Sequence, residues 1–178
     1  NGVHFLVMQY VDGKDLAAVV RARGPLSTGR AVNFVIQAAR GLEYAHRHGV
    51  VHRDIKPSNL LLGSGGIVKV SDLGLAHVDD HPGGHHSDDD LTESGTVLGT
   101  IDYMSPEQAL NTKNADERSD QYSLGVTLFF LLNGRAVYPG MTPMERMIAH
   151  RESPIPSLWS MVNSPNGPDI RPVNASPV

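Results

Sequence analysis

The sequence predicts an α+β chain that is mainly helical, on three observations. Residues 27–49 carry apolar side chains on one helical face and end in His48-Gly49. Residues 60–70 read as two short apolar strands across Gly63-Ser64-Gly65-Gly66. Residues 120–134 read as a mostly apolar helix stopped by Gly134.

In chain order, Val3 to Tyr10 is an apolar run bounded by Asp12-Gly13, which predicts a buried strand ending in a turn. Asp15 to Arg23 predicts a brief helix closed by Gly24-Pro25. Ser27 precedes the longer helix, whose expected buried face is Val32, Val35, Ile36, Ala39 and Leu42. Leu60 to Leu62 and Ile67 to Val70 are the hairpin strands. Leu75 to Met104 shows no periodicity and predicts a long loop. Pro106 opens a short helix, Asp120 to Asn133 is the buried one, and Pro143 starts a last helix to about His150. Beyond Glu152 an irregular tail is expected, with five prolines between Ser153 and Pro172.

Composition narrows the function classes. Hydrophobic residues at 40% and charged residues at 19% give a soluble, globular balance. A net charge of -4 offers no electrostatic ground for nucleic-acid binding, and zero cysteines exclude disulfides and thiolate zinc sites. The longest apolar stretch, Leu124 to Leu132, is nine residues, far short of the roughly 20 that span a bilayer. No membrane segment is therefore expected in this chain. A cytoplasmic location is expected, with membrane tethering of a longer protein left open.

The chemistry is concentrated in His52-Arg53-Asp54-Ile55-Lys56-Pro57-Ser58-Asn59. Asp54 can accept a proton from an attacking hydroxyl, Lys56 can steady a transferring phosphate, and Asn59 can ligate magnesium. Thirteen residues beyond Asn59 comes Asp72-Leu73-Gly74, where a second metal-binding carboxylate is wanted. One such residue alone reads as a turn or cap; four at this spacing read as catalysis. The two segments resemble the catalytic loop and metal-binding motif of eukaryotic-type Ser/Thr protein kinases, in the wording of their bacterial (Hanks-type) members.

That resemblance, over roughly Val3 to Leu158, implies the larger C-terminal lobe of a kinase fold with its hinge strand. Residues 1–160 would be a partial kinase domain and 161–178 an irregular tail. The implied activity is ATP- and magnesium-dependent phosphorylation of protein Ser or Thr hydroxyls, with Asp54, Lys56, Asn59 and Asp72 catalytic and Asn59 and Asp72 holding the metal. Met8, Gln9 and Val11 match the adenine-cupping hinge; Asp15 and Leu61 complete the nucleotide-binding set. Thr100 would hydrogen-bond near Asp54 and Lys56, and Asp120 would anchor the catalytic loop backbone. Leu73 stands where Phe is commoner and is expected to pack beside Asp72, with His52 a buried packing residue. No G-x-G-x-x-G occurs and no lysine precedes Lys14, so the small N-terminal lobe of a complete kinase is not represented. On that ground the chain alone is expected to be inactive or nearly so, with apolar surface at Val3 to Met8 and on the last helix partly uncovered. Glu107 would lack the late arginine with which it pairs in relatives.

The long loop suggests a switch. Arg53 precedes Asp54, and Thr96 lies eleven residues before Glu107, where relatives are phosphorylated. A phosphate there could pair with Arg53, and His77 falls where a second basic partner is common. The His- and Asp-rich stretch from Asp79 to Asp90 reads as a solvated loop, with a metal site as the alternative. The rival to an enzyme is a non-catalytic kinase-like binding or scaffold module. Such a module has no physical need for all four catalytic residues.

Overall fold

A computed structural model describes residues 7–73 and 99–157. Three short strands form one antiparallel sheet in the order β1 (Gly13–Asp15), β2 (Leu60–Gly63) and β3 (Val68–Val70). The α-helices whose bounds lie within the described residues are α1 (Leu16–Arg23), α2 (Thr28–Arg47), α3 (Pro106–Leu110), α4 (Glu117–Asn133) and α5 (Pro143–Glu152). No helix among the described residues is long and apolar enough to cross a membrane.

The described end of the apolar run, Val7 to Tyr10, does not form the predicted buried strand; Val3 to Leu6 lie outside the described residues. Residues 7–12 are in no strand, and Val7, Met8 and Tyr10 are exposed. Among the described residues no strand pairs with residues 7–10, so Val7, Met8 and Tyr10 have no sheet to pack into. Gly13, expected in a turn, instead begins β1. Glycine fits there because a Cβ would lie 2.0 Å from the Leu62 carbonyl oxygen. Asp15, expected as the first helical residue, caps α1 by accepting the Ala18 N–H at 2.7 Å.

Helix α2 forms where predicted, but with its buried face turned. The buried side chains are Ala31, Phe34, Ala38, Leu42 and Ala45, while Val32 and Ile36 are 39% and 47% exposed. The three alanines let α2 lie close against its neighbours, and Phe34 and Leu42 fill the spaces between. Val35 packs at the margin of the same core, with Leu16, Val20, Ile55, Leu60, Leu124 and Leu131 at or near its centre. Each fully buried Leu or Ile there contributes about 1.5–3 kcal/mol relative to exposure.

Helix α4 begins three residues before the expected Asp120. Asp116 accepts the Arg118 N–H at 2.8 Å, so the polar turn Glu117-Arg118-Ser119 is helical although nothing in it is apolar. Gly134 ends the helix at φ 69°.

A second cluster joins Val126, Phe129, Val137, Tyr138 and Ala149, with His150 buried beside it. The Tyr122 hydroxyl lies 2.8 Å from His150 Nδ1, and the Tyr138 ring meets the imidazole edge-on. Burial pushes the His150 pKa below its ordinary 6.5; the Asp102 carboxylate and a hydrogen bond to the Asp102 backbone oppose this, and Arg146 reinforces it. In that range the unfolded chain binds the proton and the folded chain does not. Stability supplied by neutral His150 is therefore complete above about pH 6.5 and falls as pH drops through the folded value. We expect denaturant midpoints to decline from pH 7 toward pH 5 and His150→Phe to flatten part of that slope. An unchanged slope would remove His150 from the account.

Candidate active site

The catalytic loop is built on the backbone of residues 52–54, and a buried carboxylate from α4 sets that backbone. Asp120, 1% exposed, accepts the His52 N–H at 2.9 Å through Oδ2 and the Arg53 N–H at 2.8 Å through Oδ1. His46, near the end of α2, contacts Asp120 Oδ2 through Nε2 at 2.7 Å. These contacts join α2 and the loop that follows it to α4, some 70 residues away in sequence. Arg53 sits at φ 67°, a left-handed conformation that a non-glycine residue holds only when its surroundings impose it.

His52 is buried, as expected of a packing residue, and both ring nitrogens are engaged. Nδ1 accepts the Asp54 N–H at 3.2 Å, which puts the ring proton on Nε2, 2.8 Å from the Ser71 carbonyl oxygen. His52 thus couples the loop to the segment entering Asp72. Leu73 does not pack as expected; it is 44% exposed.

The acidic, basic and amide side chains of the loop converge. Lys56 Nζ lies 2.8 Å from Asp54 Oδ2 and donates to Thr100 Oγ1 at 2.8 Å. Asn59 Nδ2 donates to Asp54 Oδ2 at 3.0 Å and to the Asp54 carbonyl at 2.7 Å. These contacts engage Asp54 Oδ2 and turn the Asn59 carboxamide nitrogen toward Asp54. The Ser71 hydroxyl is shared between the Asn59 carbonyl at 3.2 Å and Asp72 Oδ2 at 3.1 Å, tying the two metal-ligand candidates together. Asp72 stands at φ 58°. A cleft of about 450 Å³ opens beside Lys56 and Asn59, lined also by Gly99, Asp102 and Phe130.

The nucleotide-binding candidates are only partly gathered. Asp15, Leu61 and Lys69 stand opposite one another across the three strands, so their side chains share the sheet face away from core Leu60. Gln9 joins that row through Lys69 Nζ, which donates to its Oε1 at 2.5 Å. Val11 packs over Gly63, while Met8 is exposed. Asp15 Oδ1 is engaged in capping α1. Arg53 Nε is buried without a hydrogen-bond partner among the described residues. His77, Thr96 and the His- and Asp-rich stretch lie outside the described residues. Glu107 accepts a hydrogen bond from the Ser119 hydroxyl, which ties α3 to the first turn of α4.

The chain belongs to the protein kinase family: the protein kinase domain model matches residues 1–170. It is 38% identical over 153 residues to serine/threonine-protein kinase PknB of Mycolicibacterium smegmatis, covering 85% of this chain and 24% of that one. It is 36% identical over 157 residues to a probable serine/threonine-protein kinase PknB of Lactococcus lactis, covering 88% and 24%. A probable serine/threonine-protein kinase of Clostridium perfringens is 36% identical over 167 residues, covering 93% and 23%. The chain thus spans about a quarter of the length of these relatives.

Proposed function

We propose that this chain carries the catalytic loop and acceptor-side machinery of a protein kinase that phosphorylates Ser and Thr hydroxyls. The observation that carries the reading is the joint hold on Asp54 Oδ2 by Lys56 and Asn59, with Lys56 reaching Thr100 in the same 2.8 Å contact range. That arrangement leaves Oδ1 to take the proton of an acceptor hydroxyl and aims an ammonium group at the side where negative charge develops.

The donor set suits ATP with magnesium. One carboxamide oxygen from Asn59 and the Asp72 carboxylate are hard oxygen ligands of the kind that hold magnesium with phosphates and water. No cluster of three His, Cys, Asp or Glu occurs among the described residues, and such a site needs none. When bound, ATP supplies the transferable phosphoryl group and magnesium neutralises its charge. Asp15, Leu61 and Gln9 would meet the nucleoside, Lys56 would orient and neutralise the acceptor side, and Asp54 would hold the proton. Arg53 would pair with a phosphate on Thr96, with His77 as its second partner. Residues 1–160 would form the partial kinase domain and 161–178 its tail.

Labelled phosphate transfer by the protein at its full natural length tests this reading. With γ-labelled ATP and magnesium, acid hydrolysis of the product should yield phosphoserine or phosphothreonine, and EDTA should abolish the signal. Absence of magnesium-dependent transfer, or phosphotyrosine alone, would refute it.

A further inference from the structure

Gln108 is the third residue of α3 and the partner of Ser105 in the capping box that opens the helix. Its amide does two things at once. Oε1 accepts the Ser105 N–H at 3.1 Å, closing the capping box, and Nε2 donates to the Arg53 carbonyl at 2.8 Å. The amide orientation follows from the partners: an N–H must face the oxygen, and a carbonyl must face the nitrogen. The side chain is buried, so water does not readily replace either bond.

We propose that Gln108 is a positioning residue for the proposed general base Asp54; this rests on the kinase reading given above. Asp120 holds the N–H groups of His52 and Arg53, and His52 Nδ1 holds the N–H of Asp54. The one remaining polar group of the peptide entering Asp54 is the Arg53 carbonyl, and Gln108 holds it. That peptide follows the left-handed φ of Arg53, where the backbone has reason to relax if released. Through Ser105, Gln108 also fixes this peptide relative to residues 100–105, which include the Thr100 that meets Lys56. The base and the acceptor-side segment are thus set against each other by one carboxamide.

Gln108→Glu separates capping from clamping. Glutamate keeps an oxygen for the Ser105 N–H but turns its second oxygen, a lone pair in place of a donor, toward the Arg53 carbonyl. In the full-length protein we expect amide hydrogen exchange across residues 52–59 to rise about five-fold while α3 keeps its protection. Turnover should fall about ten-fold with KM for ATP little changed. Burial against a carbonyl raises the new carboxyl's pKa, and its neutral form donates as glutamine does. The activity of Gln108→Glu relative to wild type should therefore recover as pH is lowered from 8 to 6, and that of Gln108→Met should not. Unchanged exchange across 52–59 in both variants overturns the clamp. So does a relative activity that is independent of pH in Gln108→Glu. If the wild type transfers no phosphate, the kinase reading fails, and exchange across 52–59 alone decides the clamp.

Discussion

Asp120→Ala is expected to destabilise the fold by about 3–5 kcal/mol, the largest effect of any single substitution considered. The carboxylate is 1% exposed and accepts from two backbone N–H groups and contacts one imidazole. Removing it takes the acceptor from all three partners, of which the His52 N–H is fully buried, and each polar group left unsatisfied costs about 1–3 kcal/mol. The carboxylate also lies in the first turn of α4, where a negative charge meets the positive end of the helix. Asp120→Asn should recover part of the loss, because its single carbonyl oxygen can take one N–H while its amino group opposes another. Urea unfolding of the three proteins measures the series. A cost below 1 kcal/mol for alanine would mean that the loop holds its left-handed Arg53 unaided.

The sequence shows the candidate reacting groups more readily than it shows what holds them. Asp54, Lys56 and Asn59 lie within six residues, and Asp72 follows at a fixed distance, so their association is local information. The hold of Asp120 on His52 and Arg53 spans 68 and 67 residues, and only the family resemblance makes it visible. His46 and Gln108 carry no such signal: one reads as a basic residue near a helix end, the other as part of a cap. The buried face of α2 departs from the hydrophobic pattern for a related reason. Val32 and Ile36 are the more hydrophobic residues, but close approach selects Ala31, Ala38 and Ala45. Strand β1 has no apolar residue at all. Gly13-Lys14-Asp15 is extended because β2 lies beside it, which is a long-range fact.

Asp54→Asn should do the opposite of Asp120→Ala: abolish the chemistry and spare the fold. Asparagine keeps the shape and an oxygen for the Asn59 amide, but it cannot take a proton at neutral pH. It also loses the ion pair with Lys56, whose two side chains are 13% and 27% exposed. Partial solvent screening limits that loss to about 1 kcal/mol or less. Positioned general bases typically contribute 10²–10⁴-fold, so phosphotransfer by the full-length protein should fall by about 10³-fold. Unfolding midpoints and phosphotransfer rates measured on the same preparations decide the matter. Activity within ten-fold of wild type would take the base role from Asp54 and leave it as a tether for Lys56. A large loss of both activity and stability would make its carboxylate part of the loop's support, the duty here assigned to Asp120. Loss of turnover alone would show that the ion pair and the Asn59 amide hold a group whose purpose is the proton.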